Sequence, residues 1–241
     1  MSDKISKFLN QIKKKRKIAR KELGSVSKKE QEKIPDEEIE EYFSYIIQDD
    51  EVCITGFSSD YPWKKVKMPN TIKGYPITSI GDRAFVENKS LRFIAISEGV
   101  TRIGEEAFQG CGWLYEVILP EKLITIEKGA FSWCGALREI VLPNTVTKIG
   151  EEAFFGCDLY NINIPEGVVN IEKAVFSDCW ELRWIKIPKS VVHIEEDAFA
   201  GCLEATAGGA AVLGEDKYQC VKRELLEETG LYCEEFEEIG S

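Results

Sequence analysis

Cys111-Gly112-Trp113-Leu114-Tyr115-Glu116-Val117-Ile118-Leu119-Pro120-Glu121-Lys122-Leu123-Ile124-Thr125-Ile126-Glu127-Lys128-Gly129-Ala130-Phe131 is one turn of a phrase that the chain writes six times. Its closing Ala130-Phe131 recurs as Ala84-Phe85, Ala107-Phe108, Ala153-Phe154, Val175-Phe176 and Ala198-Phe199, with successive phenylalanines 23, 23, 23, 22 and 23 residues apart. Three residues after each Phe stands Asn88, Cys111, Cys134, Cys157, Cys179 or Cys202. A fixed period in this range is the signature of stacked repeats.

Within the phrase, Leu114, Val117 and Leu119 return as Leu91/Ile94/Ile96, Leu137/Ile140/Leu142, Leu159/Ile162/Ile164 and Leu182/Ile185/Ile187. The last two of each set alternate with period two, which predicts a short strand with one face inward. Pro120, Pro143, Pro165 and Pro188 end it, because proline has no N–H to give to a ladder. A second apolar pair follows at Ile77/Ile80, Val100/Ile103, Leu123/Ile126, Val146/Ile149, Val168/Ile171 and Val191/Ile194. No single coil can bury these residues, so the coils must stack around one apolar column. The fold class expected is a single right-handed repeat solenoid, with coils of about 23 residues and short parallel strands.

This phrase, Ile-x-Ile-Pro-x-x-Val-x-x-Ile-Gly-x-x-Ala-Phe-x-x-Cys, resembles the BspA-type (Treponema-type) leucine-rich repeat, over roughly residues 66–202. Two departures are visible. Asn88 holds the Cys position of the first unit, where a buried amide can bridge backbone groups. The fourth unit lacks one residue between Cys157 and Leu159, which should tighten a turn locally. Before the repeat, Tyr42–Ile47 and Val52–Phe57 are β-branched and aromatic runs flanking Gln48–Glu51, a hairpin expected to cap the open end of the stack. The organisation read from the sequence is a basic helical leader at 1–34, the hairpin cap at 35–68, the solenoid at 69–202 and a distinct segment at 203–241.

Five of the eight cysteines occupy one repeat position, so they read as small core residues rather than as a metal or disulfide set. His193, the only histidine, falls in an outward register shared with Arg102, Thr125, Lys148 and Asn170, and no catalytic group accompanies it. The outward strand positions read Arg92/Phe93/Ala95, Tyr115/Glu116/Ile118, Arg138/Glu139/Val141, Tyr160/Asn161/Asn163 and Arg183/Trp184/Lys186. Tyr, Trp and Arg are the residue types that anchor protein interfaces. Arg92, Phe93, Tyr115, Arg138, Tyr160, Arg183 and Trp184 are therefore the candidate face for a protein partner, and long side chains merely covering the sheet are the alternative.

The net charge of -11 is uneven. Residues 1–24 carry nine Lys/Arg against Asp3 and Glu22, leaving an acidic body that disfavours a nucleic-acid groove. Ile5, Phe8, Leu9 and Ile12 have helical spacing ahead of Lys13–Lys17. That basic helix reads as a solvated leader, with contact to an anionic surface as the alternative. The sequence shows no signal-peptide core and no transmembrane span, so the expected location is cytoplasmic.

After Cys202 the repeat register stops. Gly209, Glu215, Arg223-Glu224-Leu225, Glu227-Glu228 and Gly230-Leu231 stand at the spacing of the Nudix box, which this stretch resembles at every defined position. On a helix Glu224, Glu227 and Glu228 share one face, and clustered carboxylates suit Mg²⁺. The resemblance implies metal binding by those three residues, orientation of a glutamate by Arg223, and hydrolysis of nucleoside diphosphate derivatives. It covers about 30 residues, a quarter of a typical domain, without the sheet that holds such a site. The expectation is an acidic helical tail on a scaffold that binds a protein and needs no cofactor, with Mg²⁺-dependent hydrolysis as the alternative.

Overall fold

The computed structural model describes residues 42–58 and 64–202. In chain order its strands are β1 (Phe43–Gln48), β2 (Glu51–Phe57), β3 (Lys65–Lys67), β4 (Thr71–Ile72), β5 (Tyr75–Ile80), β6 (Phe93–Ala95), β7 (Arg102–Ile103), β8 (Glu116–Ile118), β9 (Thr125–Ile126), β10 (Lys148–Ile149), β11 (Asn161–Asn163), β12 (Asn170–Ile171), β13 (Trp184–Lys186) and β14 (His193–Ile194). The leader and the Nudix-box segment, with the helices expected there, lie outside the described residues. Among the described residues no helix is long and apolar enough to cross a membrane.

Each repeat makes one coil with two short strand sites. The first apolar set supplies a front strand, and β3, β6 and β8 pair in parallel, as do β11 and β13. The second pair supplies a back strand, giving the parallel order β5-β7-β9-β10 and the pair β12-β14. Preceding the coils, β1 and β2 form an antiparallel hairpin through Asp49-Asp50, whose φ values of 51° and 61° match the twist of a two-residue turn. Its second strand joins β5 in parallel, with Val52 opposite Ile77.

The Ala-Phe corner holds the stack together without regular secondary structure. In every coil the residue two before Phe and the residue two after it have positive φ, from Arg83 (60°) and Glu87 (54°) to Asp197 (58°) and Gly201 (75°). The alternation turns successive N–H groups in opposite senses. Those of Arg83, Phe85 and Glu87 donate to Glu105, Ala107 and Gln109 in the next coil. Those of Ala84, Val86 and Asn88 turn back to Gly81, Arg83 and Phe85. All six backbone donors of the corner are thereby satisfied, which a buried corner requires.

Inside, Phe85, Phe108, Phe131, Phe154, Phe176 and Phe199 form one aromatic column with centroid separations of 4.7, 5.1, 5.6, 5.7 and 5.5 Å. The middle three pairs are within 3° of parallel. Phe57 of β2 adds to the column's start, 5.2 Å from Phe85. Beside it runs the cysteine row. The thiols of Cys111, Cys134, Cys157, Cys179 and Cys202 donate to the carbonyls of Phe85, Phe108, Phe131, Phe154 and Phe176, each in the preceding coil, at 3.0 to 3.2 Å. Burial pushes Cys111 and Cys157 up to about 12, so these thiols stay protonated donors. Asn88, which starts the row, accepts the N–H groups of Ser90 and Leu91 and the Ser90 hydroxyl at its Oδ1.

The missing residue after Cys157 acts beyond one turn. Leu114, Leu137 and Leu182 each donate an N–H to the Cys three residues before, a bond for which Leu159 has no counterpart because only Asp158 intervenes. Around it the strand pairing changes partner. Among the described residues the 138–141 segment forms no strand paired with β8, but meets the next coil through a Glu139–Asn161 bridge and the Tyr160 N–H to the Arg138 carbonyl. At the back the same coil does the reverse, because β10 pairs with β9 and not with β12. The Phe corners remain bonded on both sides of it, so the stack shears without parting.

Candidate functional site

The residue after each front-strand Leu is a fixed outward position, occupied in turn by Arg92, Tyr115, Arg138, Tyr160 and Arg183. Within the inner ladder the preceding Leu is buried, so its successor must face out. Tyr115 and Tyr160 are 45% and 53% exposed, and Arg138 and Arg183 are exposed as well. Backbone bonds set adjacent members side by side: Tyr115 N–H to the Arg92 carbonyl at 3.0 Å, Tyr160 to Arg138 at 2.9 Å and Arg183 to Tyr160 at 3.0 Å. The result is an alternating cationic and aromatic row across five coils.

The front ladder breaks between Tyr115 and Arg138, and there the surface opens into a recess of about 450 Å³. Trp113, Tyr115, Arg138 and Asp158 wall it, and Gly112 and Gly135 keep its sides low. Trp113 is 56% exposed and carries the Arg92 guanidinium over its ring at 4.6 Å. Arg183 reaches Glu181 only at 3.8 Å, and Arg138 has no ion pair among the described residues. Trp113 and Asp158 were not in the face read from the sequence. Asp158 is the one residue of the shortened Cys157–Leu159 interval, which was the sequence signal available for it, and nothing in the repeat phrase marked Trp113.

Several sequence-predicted face residues are placed differently. Phe93 is 5% exposed and Ala95 8%, so neither offers the surface expected of it. They lie in β6, the middle strand of three, with Lys65 and Lys67 on one side in register and Glu116 and Ile118 on the other. Having neighbours on both flanks is what covers them. Asn161 is also buried, and among the described residues its Nδ2 and the Oδ1 of Asn163 have no hydrogen-bond partner, a polar cost on the coil that follows the sheared one. Trp184 opens β13, and its side chain lies outside what is described. His193 is exposed on the back row, as its register requires.

That back corner carries a different chemistry. Asp82, Arg102, Glu127 and Lys148 make a chain of contacts at 3.1, 3.2 and 2.9 Å, and Arg83–Glu106, Lys128–Glu151 and Lys173–Glu196 join further coils. Every one of these charges is spent on a neighbouring coil. Among the described residues the front-row Arg92 and Arg138 carry no ion pair, so the coil-to-coil ion pairs are concentrated on the back corner. Among the described residues no group of His, Cys, Asp or Glu is arranged to hold a metal ion.

A corner-stacked β-coil with a buried Leu, Phe and Cys ladder defines a leucine-rich-repeat scaffold. The chain belongs to the BspA-type leucine-rich repeat family, whose model matches in 6 copies over residues 55–180. Among solved structures it is similar to a leucine-rich repeat protein of Bacteroides ovatus, at 30% identity and TM-score 0.57, covering 67% of this chain and 50% of that one. It is also similar to the T. pallidum leucine-rich repeat protein, at 28% identity and TM-score 0.53, covering 64% and 84%. The pneumococcal vaccine antigen PcpA, at 18% identity and TM-score 0.51, covers 81% of this chain and 48% of its own and shares the fold. This chain spans half the length of the Bacteroides ovatus structure. No curated protein matches it.

Proposed function

We propose that the solenoid is a non-enzymatic scaffold that recognises a protein partner through its front-strand row. The observation that carries this reading is the alternation of Arg92, Tyr115, Arg138, Tyr160 and Arg183 on consecutive coils, with both tyrosines exposed and Arg138 without an ion pair among the described residues. Tyrosine buries a large amphipathic area at small rotamer cost, and arginine supplies directional donors, so such rows concentrate binding energy. The recess beside Arg138 adds a concave element in which a partner side chain loses its water. In the same reading the β1–β2 hairpin serves as the cap of the column, supported by the stacking of Phe57 on Phe85.

The test is capture on immobilised protein with mass-spectrometric quantitation. The double variant Tyr115→Ala/Tyr160→Ala should lose at least tenfold of any partner, while Ile124→Ala, an exposed residue of the back edge, should retain it. Equal capture by both variants would remove the front row from the reading. The second reading, Mg²⁺-dependent hydrolysis, rests on the Gly209–Leu231 motif alone. It is tested by incubating the full chain with Mg²⁺ and nucleoside diphosphate derivatives, where turnover abolished by Glu227→Gln would establish it over the scaffold.

A further inference from the structure

The residues just after each row cysteine set how high the surface stands beside the front row. In the first unit Lys89-Ser90 hold these places after Asn88, and in the fifth Trp180-Glu181 hold them after Cys179. Between those two the chain becomes small, with Gly112 ahead of Trp113, then Gly135-Ala136, then Asp158 alone ahead of Leu159. This low stretch lines the recess of about 450 Å³. Packing does not require glycine in either place. Neither Gly112 nor Gly135 has a positive φ, and a Cβ added to either would meet nothing within 4 Å.

Three kinds of group face this room, in an order fixed by the stack. Trp113 and Tyr115, 56% and 45% exposed, stand on one coil, Arg138 on the next and Asp158 on the one after. The Phe column beneath them steps 5.1 and 5.6 Å between these coils, through corners that stay bonded where the front ladder does not. Among the described residues neither Arg138 nor Asp158 is in an ion pair, with the other or with any third group. A guanidinium only donates and a carboxylate only accepts. A purely anionic ligand would meet a like charge at Asp158, and a purely cationic one at Arg138. A neutral ligand would take water from both charges and return no opposite charge.

We infer that the recess binds a free α-amino acid with an aromatic side chain, its carboxylate on Arg138, its ammonium on Asp158 and its ring against Trp113 and Tyr115. Such a ligand carries both charges on one carbon and an aromatic ring at its other end, which is the order of the groups along the recess. Arg138 can hold the carboxylate through two parallel N–H groups, and the ring gains from aromatic contact beyond the area it buries. Trp113 is steadied for that contact by the Arg92 guanidinium over its ring at 4.6 Å. The volume falls within the range of small-molecule sites, about 300–1,000 Å³. A residue inside a polypeptide offers neither charge, because its amino and carboxyl groups are spent in peptide bonds. The site therefore goes beyond the partner-binding reading and does not depend on it.

The experiment is calorimetric titration of the full chain at about pH 6, where an α-amino group is charged. The probes are L-phenylalanine, N-acetyl-L-phenylalanine, which lacks the ammonium, L-phenylalaninamide, which lacks the carboxylate, and L-alanine, which lacks the ring. For so small a ligand on an open recess the dissociation constant should be on the order of 1 mM. L-Phenylalanine should bind at least tenfold more tightly than each of the other three. Asp158→Asn should erase its advantage over the N-acetyl derivative and keep that over the amide, and Arg138→Ala should do the converse. Gly135→Val, which places a side chain in the recess, should weaken L-phenylalanine at least tenfold at an unchanged melting temperature. Equal binding of the four probes, no effect of Asp158→Asn, or no binding of L-phenylalanine at about 10 mM overturns the inference. Tighter binding of N-acetylglucosamine than of L-phenylalanine overturns it in favour of a neutral sugar. Tighter binding of N-acetyl-L-phenylalanine overturns it in favour of a partner's side chain. Protein capture by the tyrosine double variant is read separately, so either proposal can fail while the other stands.

Discussion

Replacing Phe131 by Ala should be among the costliest single truncations in this protein. The ring is fully buried and stacks on Phe108 at 5.1 Å and on Phe154 at 5.6 Å, both nearly parallel. Truncating a buried Phe costs about 3–5 kcal/mol through lost transfer energy and the cavity left behind. The upper half of that range applies here. The Ala-Phe corner is bonded to both neighbouring coils, through Phe131 N–H to Ala153 and Phe108 N–H to Ala130, and so has little freedom to collapse into the void. Phe131→Leu retains much of the volume and should cost roughly half as much. Because a repeat stack is stabilised mainly by nearest-neighbour interfaces, a weakened third coil also uncouples the two ends. Urea unfolding followed by far-ultraviolet circular dichroism should show a lower midpoint for Phe131→Ala, and a broader transition as the halves separate. A loss below about 1 kcal/mol with an unchanged transition would refute a continuous, close-packed column.

Further outcomes follow from the same geometry. In a Cys220→Ser/Cys233→Ser background Cys53, which is partly accessible, should react rapidly with a thiol reagent, and the five row cysteines only at the rate of opening, read by the time course of mass shifts. Gly156→Ala should destabilise by about 2 kcal/mol on urea titration, because φ is +65° and a Cβ would come within 2.8 Å of the Trp133 ring. Asn163→Val should stabilise by about 1 kcal/mol, since it removes a buried acceptor that has no partner; a loss would show that the amide finds one. For Glu127, burial alone raises the carboxyl, but hydrogen bonds from Lys148 and Arg102 outweigh it and hold the folded value below the ordinary one. Its stabilisation is thus complete above the unfolded value of about 4.3 and fades as pH falls through the folded one. Melting temperature should be level at neutral pH and fall below about pH 4, with a shallower fall in Glu127→Gln.

How much of this was legible in the sequence depends on which neighbour decides each feature. The Phe and Cys rows were readable because each position is buried by its own equivalents in adjacent coils, so the period alone carries the information. Asn88 was readable for the same reason, as the first member of a row with no Phe carbonyl ahead of it. Phe93 was misread because its exposure depends on what flanks it in β3 and β8, and its repeat position is half-buried at Glu116, open at Glu139 and closed at Phe93 itself. The left-handed corner residues were hidden because Arg83, Glu106, Trp133 and Ala174 hold conformations usually marked by glycine. The recess was hidden in another way. One absent residue after Cys157 moved hydrogen bonds on two sides of the coil, an effect that local spacing suggests only as a tight turn.

The most direct test of the account is site-specific photo-cross-linking with benzoylphenylalanine placed at Tyr160 on the front row or at Val169 on the back edge, both about half exposed. The account predicts a cross-linked partner protein from position 160, competed by excess unlabelled wild-type protein, and none from position 169. Cross-linking from 169 with none from 160 would contradict it.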